Sequence, residues 1–198
     1  MRLSLILAHP DPESFNHAIA FTAVDVLMAN GHQVSFHDLY GEEFDPLLPA
    51  IEFARESPLP PDIASHCQEI AAADGIVIVH PNWWGQPPAI LKGWVDRVIR
   101  PGVAYEFIDG DDGEGVPRGL LAARSAVVFN TSNTPTARES SVFGDPIENI
   151  WKRCIFGLCG VSNVYRETFN VVVTSSMAQR DRWLQRVSHV ISEYYPAD

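Results

Sequence analysis

Three short polar stretches of this chain have the residue types to hold a planar, charged ligand. The first is His9-Pro10-Asp11-Pro12-Glu13-Ser14-Phe15-Asn16, which leads into a run of helical spacing. A helix start offers unpaired N–H groups and the positive end of a dipole, so it favours an anion. Ser14 and Asn16 add short polar side chains, which serve equally well as ordinary caps. His9 either contacts that anion or merely ends a strand. The second stretch is Pro81-Asn82-Trp83-Trp84-Gly85-Gln86. Two large rings in a turn form a shelf for another flat ring, unless both fill the core as tryptophans commonly do. The third, Thr131-Ser132-Asn133-Thr134, supplies hydroxyls and amides for the edge of a ring.

Other chemistries fail on spacing. There is no GxxxxGK and no GxGxxG between the first strand and helix, so neither phosphate-binding fingerprint is present. Gly113-Glu114-Gly115 lies in the wrong context, and Asp109 to Glu114 misses the spacing of a calcium loop. No GxSxG occurs, which removes the nucleophile elbow of a hydrolase. Cys67, Cys154 and Cys159 fit no metal-binding pattern and read as reduced, mostly buried thiols of a cytoplasmic protein. No metal site is expected. A net charge of −11 with only two lysines, Lys92 and Lys152, argues against a nucleic-acid surface. The apolar start Met1 to Ala8 is cut off by His9-Pro10, too short for a leader or a membrane span.

The elements that must position the three stretches follow from periodicity. Leu3 to Ala8, Gln33 to Leu39, Gly75 to His80, Ser125 to Asn130 and a segment within Val161 to Val173 read as strands. Between them, Ala20, Ala23, Val24, Leu27 and Met28 recur at helical spacing and Gly31 ends that helix. Asp62 to Ala73 is a second helix. Leu91, Trp94, Val95 and Val98 put a third helix after Pro88, with Lys92 and Asp96 four apart on its other face. Ile147 to Leu158 and a run through Trp183, Val187, Val190, Ile191 and Tyr194 complete the set. Tyr40 to Pro61 and Arg100 to Gly119 read as loops. Strands alternating with helices predict an α/β fold: one doubly wound, five-stranded parallel sheet with helices on both faces, as one domain over residues 1–198.

In such folds ligands bind beyond the carboxyl ends of the strands, where strand order reverses. All three polar stretches follow strands. An anion site, an aromatic shelf and a polar loop on one sheet edge match the phosphate, planar ring and ring edge of a flavin nucleotide.

The chain resembles the flavodoxin-like NAD(P)H:quinone oxidoreductases, a family that includes ancillary oxidoreductases of potassium-efflux systems. The resemblance rests on His9, Ser14-Phe15-Asn16, Asp38-Leu39-Tyr40, Phe44-Asp45-Pro46, the Pro81 turn, Pro88-Ala89-Ile90-Leu91-Lys92-Gly93-Trp94, Gly144-Asp145 and Cys159-Gly160. It implies bound FAD or FMN, NAD(P)H as co-substrate, a quinone or similar small acceptor, ping-pong hydride transfer and a homodimer. It places His9, Ser14, Phe15 and Asn16 at the phosphate, and Pro81, Asn82, Trp83, Trp84 and Gly85 along the ribityl chain and ring, with backbone N–H groups of the turn at the N5 edge. Asn130, Thr131, Ser132 and Asn133 stand in for the family's Thr-Thr-Gly-Gly at the pyrimidine edge. A Tyr and a His that stabilise reduced flavin in quinone reductases are replaced by Ala137 and Phe143. Thr136, Arg138 and Glu139 lie close in sequence. The alternative function is a flavoprotein that regulates or binds a transporter or another enzyme, with little turnover of its own.

Overall fold

A computed structural model describes residues 1–54, 57–108 and 115–197 of the chain. Both dismissed motifs, Gly113-Glu114-Gly115 and Asp109 to Glu114, fall wholly or mainly outside the described residues. The main sheet holds β1 (Arg2–Leu7), β2 (Gln33–Asp38), β3 (Gly75–Pro81), β6 (Ser125–Ser132) and β7 (Asn163–Asn170), with a small hairpin of β4 (Tyr105–Glu106) and β5 (Arg118–Gly119) beside it. Strand order is β2-β1-β3-β6-β7, and every pairing within the sheet is parallel. The chain crosses over β1 on its way from β2 to β3, so the order reverses between β1 and β3.

The sheet is buried on both faces because its strands alternate two apolar sets. Ile6, Ala8, Ile76, Ile78, Ala126 and Val128 join the core under α2 (Pro61–Ala72) and α3 (Ala89–Val98). Leu5, Leu7, Val77, Val79, Val127 and Phe129 join the core under α1 (Phe15–Ala29) and α6 (Met177–Tyr194). Neighbouring side chains on a strand point to opposite faces, so each strand seals both layers. Trp94, with 2% exposure, is a core residue of α3, and its Nε1–H donates to His66 Nδ1 at 3.2 Å. Lys92 and Asp96 make the expected ion pair on the outer face at 2.6 Å.

Four features depart from the sequence reading, the first being the β4–β5 hairpin within Arg100 to Gly119, a segment read as a loop. Thr136–Phe143 forms a helix, α4, where none is evident by periodicity; left-handed Gly144 ends it. The next helix starts at Pro146 (α5, Pro146–Asn149) and widens into a π-helix over Ile150–Gly157. The loop after β2 contains a 3₁₀ turn at Ala50–Phe53, whose Glu52 meets the Arg97 guanidinium at 2.5 Å deep in the core. Cys67 and Cys159 are buried as expected, and Cys154 is exposed on the π-helix. Among the described residues no helix is long and apolar enough to cross a membrane.

Candidate active site

A cavity of about 630 Å³ opens at the reversal of strand order. Its wall includes His9, Ser14, Phe15 and Asn16 from the loop after β1, Pro81, Asn82, Trp83, Trp84 and Gly85 from the turn after β3, and Thr131, Ser132 and Asn133 from the end of β6. Twelve of the thirteen residues singled out by sequence therefore meet at one place. The exception is Asn130. It is fully buried, and its Oδ1 accepts from Arg166 Nη1 at 2.8 Å and from Thr168 Oγ1 at 3.1 Å. The alternation of β6 turns Asn130 to the face opposite Thr131. The cavity also takes Thr134, Glu139, Phe143, Pro146 and Val172. Glu139 and Phe143 were within sight of the sequence reading. Val172, beyond the last strand, carried no signal.

The first wall is built by capping. Ser14 is the N-cap of α1, and its Oγ accepts from the His17 N–H at 3.3 Å. Asn16 is not a cap; its Nδ2 donates to Thr131 Oγ1 at 3.0 Å, tying the start of α1 to the end of β6. His9 Nδ1 is turned to the Asp11 backbone, 3.1 Å from its N and 3.3 Å from its carbonyl O, which leaves Nε2 outside that turn. Desolvation lowers the His9 pKa from its ordinary value, which favours the neutral ring.

The Trp83–Gln86 turn answers to backbone geometry. Trp83 and Gln86 exchange N–H···O bonds, both 3.0 Å. The two residues between them, Trp84 and Gly85, have φ of 58° and 71°. A two-residue hairpin loop with both φ positive is a primed turn, whose first position favours Asn or Gly. Tryptophan there is strained, and Trp84 is also fully exposed at 101%, so its ring is held out of the core by the backbone itself. Trp83 is 41% exposed and lies 6.1 Å from the His9 ring. Asn82 secures the turn: its Oδ1 accepts from Gly85 N at 2.9 Å, and its own N–H reaches Thr131 O at 2.7 Å. Gly85 is required twice, since a Cβ would also lie 2.7 Å from Pro146 Cγ.

The third wall is pinned from outside. Ser132 Oγ accepts from Thr134 N at 3.0 Å, Asn133 Oδ1 from Val173 N at 2.9 Å, and Asn170 Nδ2 donates to Thr136 Oγ1 at 2.9 Å. Behind it, Arg166 binds Asp145, Glu148, Asn130 and Thr168, which anchors the Gly144-Asp145 turn to β7. Ala137 is exposed and lies off the cavity, while Phe143 lines it.

A second cluster, His37, Glu42 and His66, has the ligand types of a metal site. Its hydrogen bonds argue otherwise. The Trp94 N–H makes His66 Nδ1 an acceptor, so neutral His66 carries its proton on Nε2, facing Glu42 Oε2 at 3.6 Å. A metal at Nε2 would have to displace that proton.

These features define a doubly wound α/β protein of the flavodoxin type. A profile of the Flavodoxin-like fold family matches residues 1–191, and the chain belongs to that family, among its NAD(P)H:quinone oxidoreductases. An NAD(P)H oxidoreductase of Haemophilus influenzae is 37% identical over 170 residues, covering 83% of this chain and 81% of that one. The NAD(P)H dehydrogenase [quinone] 1 of Cavia porcellus is 34% identical over 125 residues; the match covers 54% of this chain and 46% of that longer one. The solved NAD(P)H:quinone oxidoreductase of Methanothermobacter marburgensis superposes with a TM-score of 0.79 at 27% identity, over 96% of this chain and 95% of that one.

Proposed function

We propose that this chain is a flavin-dependent NAD(P)H oxidoreductase that reduces a quinone or a similar small acceptor by two electrons. The observation that carries the reading is the single cavity shared by the start of α1, the Trp83–Gln86 turn and the end of β6. The donor set fits a flavin nucleotide. The first-turn N–H groups of α1 and the His9 ring suit a phosphate, without any lysine or arginine. The Pro81–Gly85 segment suits the ribityl chain and ring, and Thr131, Ser132 and Asn133 suit the pyrimidine edge. Bound there, the flavin supplies hydride chemistry between NAD(P)H and the acceptor.

The protein's own part is placement and charge control. Trp83 N–H is taken by Gln86 and Gly85 N–H by Asn82, so within the turn only the Trp84 N–H has no partner among the described residues. The expected group of turn donors thus reduces to one. Its position is locked by the same bonds that strain Trp84. With Ala137 off the cavity and Phe143 apolar, charge on the pyrimidine edge must be met by Thr131, Ser132 and main-chain donors, preorganised by the bonds to β7 and Val173.

The protein works as a homodimer in this reading. The family resemblance is supported by exposed Leu47, Ile51 and Phe53 in the segment after β2 and by exposed Phe107, which follows β4 and meets Tyr105 edge-on. Phe53 and Tyr105 line one groove of about 240 Å³. Purified protein is expected to bind FMN or FAD with a flavin spectrum, to oxidise NAD(P)H with a small quinone, and to scatter light as a dimer. Failure to bind either flavin overturns the reading. Flavin binding without NAD(P)H oxidation by any acceptor favours the regulatory alternative.

A further inference from the structure

We propose that the electron acceptor taken by this cavity is a planar aromatic cation, of the ring-N-alkylated phenazinium class, and that Glu139 selects it. The inference rests on the oxidoreductase reading above and names its substrate class.

Among the described residues, Glu139 is the only acidic residue in the cavity wall, and no lysine or arginine lines it. It is 7% exposed, and its Oε1 is buried with no hydrogen-bond partner among the described residues. Burying an unpaired carboxylate oxygen is costly, and a cationic ligand relieves that cost where an anionic one adds to it. The Glu139 backbone is fixed. The Glu139 carbonyl accepts from Gly144 and Asp145 N–H groups, which end α4, and its own N–H donates to Pro135 O. Neither sequence neighbour competes for the role. Thr136 is bonded to Asn170, and Arg138 is exposed outside the cavity. His9, the other titratable wall residue, is biased to its neutral form by desolvation.

Two further features point to the same ligand. Trp83 and Trp84 are exposed and line this wall, and indole rings attract cations. The chemistry also balances without a proton donor. A neutral quinone needs a hydride and a proton. A phenazinium cation needs only the hydride: the C–H bond of NAD(P)H breaks, its electron pair and hydrogen pass to the acceptor ring, and the products are NAD(P)⁺ and a neutral reduced acceptor. The wall offers an aromatic Phe143 and no tyrosine, so an acceptor that requires no protein proton suits it. The neutral product then loses its attraction to Glu139, which favours release.

The test is equilibrium binding to flavin-loaded protein with no NAD(P)H present, read by tryptophan fluorescence and calorimetry. The probes are N-methylphenazinium, the anionic 1,2-naphthoquinone-4-sulfonate and neutral menadione. Wild type is expected to bind the cation about tenfold or more tightly than the anion, the scale of one partly desolvated charge pair. Glu139→Gln should shrink that preference to about twofold or less, and Glu139→Asp should keep part of it. Equal binding of cation and anion by wild type overturns the proposal without any variant. So does a preference that survives in Glu139→Gln. Flavin-loaded protein without charge preference leaves the oxidoreductase reading standing; protein that takes up no flavin removes both.

Discussion

Replacing Trp84 by asparagine should stabilise the flavin-free protein while weakening its hold on flavin. The residue sits at φ 58°, a region that costs a non-glycine residue roughly 1–3 kcal/mol and that asparagine tolerates better than most. Its ring is fully exposed, so its removal sacrifices no burial. Relief of strain should therefore appear as a gain of about 1 kcal/mol. Trp94 is the opposite case. It is buried, and its loss also leaves His66 Nδ1 without its donor, so Trp94→Ala should cost roughly 3–5 kcal/mol. Urea unfolding of flavin-free protein, followed by circular dichroism at constant m-value, measures both. Flavin titration supplies the second half. Loss of a ring contact worth roughly 1 kcal/mol should weaken affinity about fivefold. If Trp84→Asn destabilises the flavin-free protein by more than about 1 kcal/mol, the strain argument fails. If flavin affinity is untouched, the shelf is not part of the site.

Gly85→Ala combines a positive φ of 71° with a 2.7 Å approach to Pro146 Cγ, so it should lower both the unfolding midpoint and flavin content, at a cost of about 1–3 kcal/mol; a variant with normal midpoint and normal flavin content contradicts this. Arg166→Met leaves Asp145 and Glu148 without their shared cation, and because both carboxylates are partly exposed the loss should be roughly 2–4 kcal/mol by chemical unfolding, with an unchanged midpoint as the refuting result. Burial pushes the pKa values of His66 and His80 down to about 4 from 6.5, with neighbouring His37 adding to the effect at His66. The unfolded chain then binds more protons than the folded one between those values. Stability is fully present above about pH 6.5 and falls as pH drops toward 4, and a urea midpoint that stays level from pH 7 to 5 would show that these rings are not buried neutral.

The parts of this molecule that were legible in the sequence are those where one period dominates. The β3 run Gly75–Pro81 is wholly buried, as a continuous apolar segment requires, and Trp94 follows the spacing of Leu91, Val95 and Val98. α4 was not legible because it spans only eight residues and follows Pro135, with a largely exposed surface and little apolar repeat to detect. The π-helix was hidden for a different reason, since a widened turn leaves no mark on residue type.

Asn130 shows where the sequence contained more than composition and loop position reveal. In β1, β3 and β6 the even-numbered residues Ile6, Ile78 and Val128 pack under α2 and α3, and the odd-numbered Leu7, Val79 and Phe129 pack under α1. Continued to the carboxyl ends of β3 and β6 and just past that of β1, odd parity gives Pro81, Thr131 and His9, all on the cavity wall. Even parity gives His80 and Asn130, both buried on the other side. There His80 Nδ1–H donates to Pro81 O at 2.8 Å, Trp151 Nε1–H donates to His80 Nε2 at 2.9 Å, and Arg166 holds Asn130. A shift of one residue reverses a side chain's role, because the pleat has a period of two. His80 and Asn130 therefore form a polar layer behind the site, while His9, Pro81 and Thr131 face the cavity; beyond Thr131 the division ends, since Ser132 also lines the wall. On this division, changes at His80 and Asn130 should register in the stability of the flavin-free protein, whereas changes at His9 and Thr131 should register first in what the cavity binds.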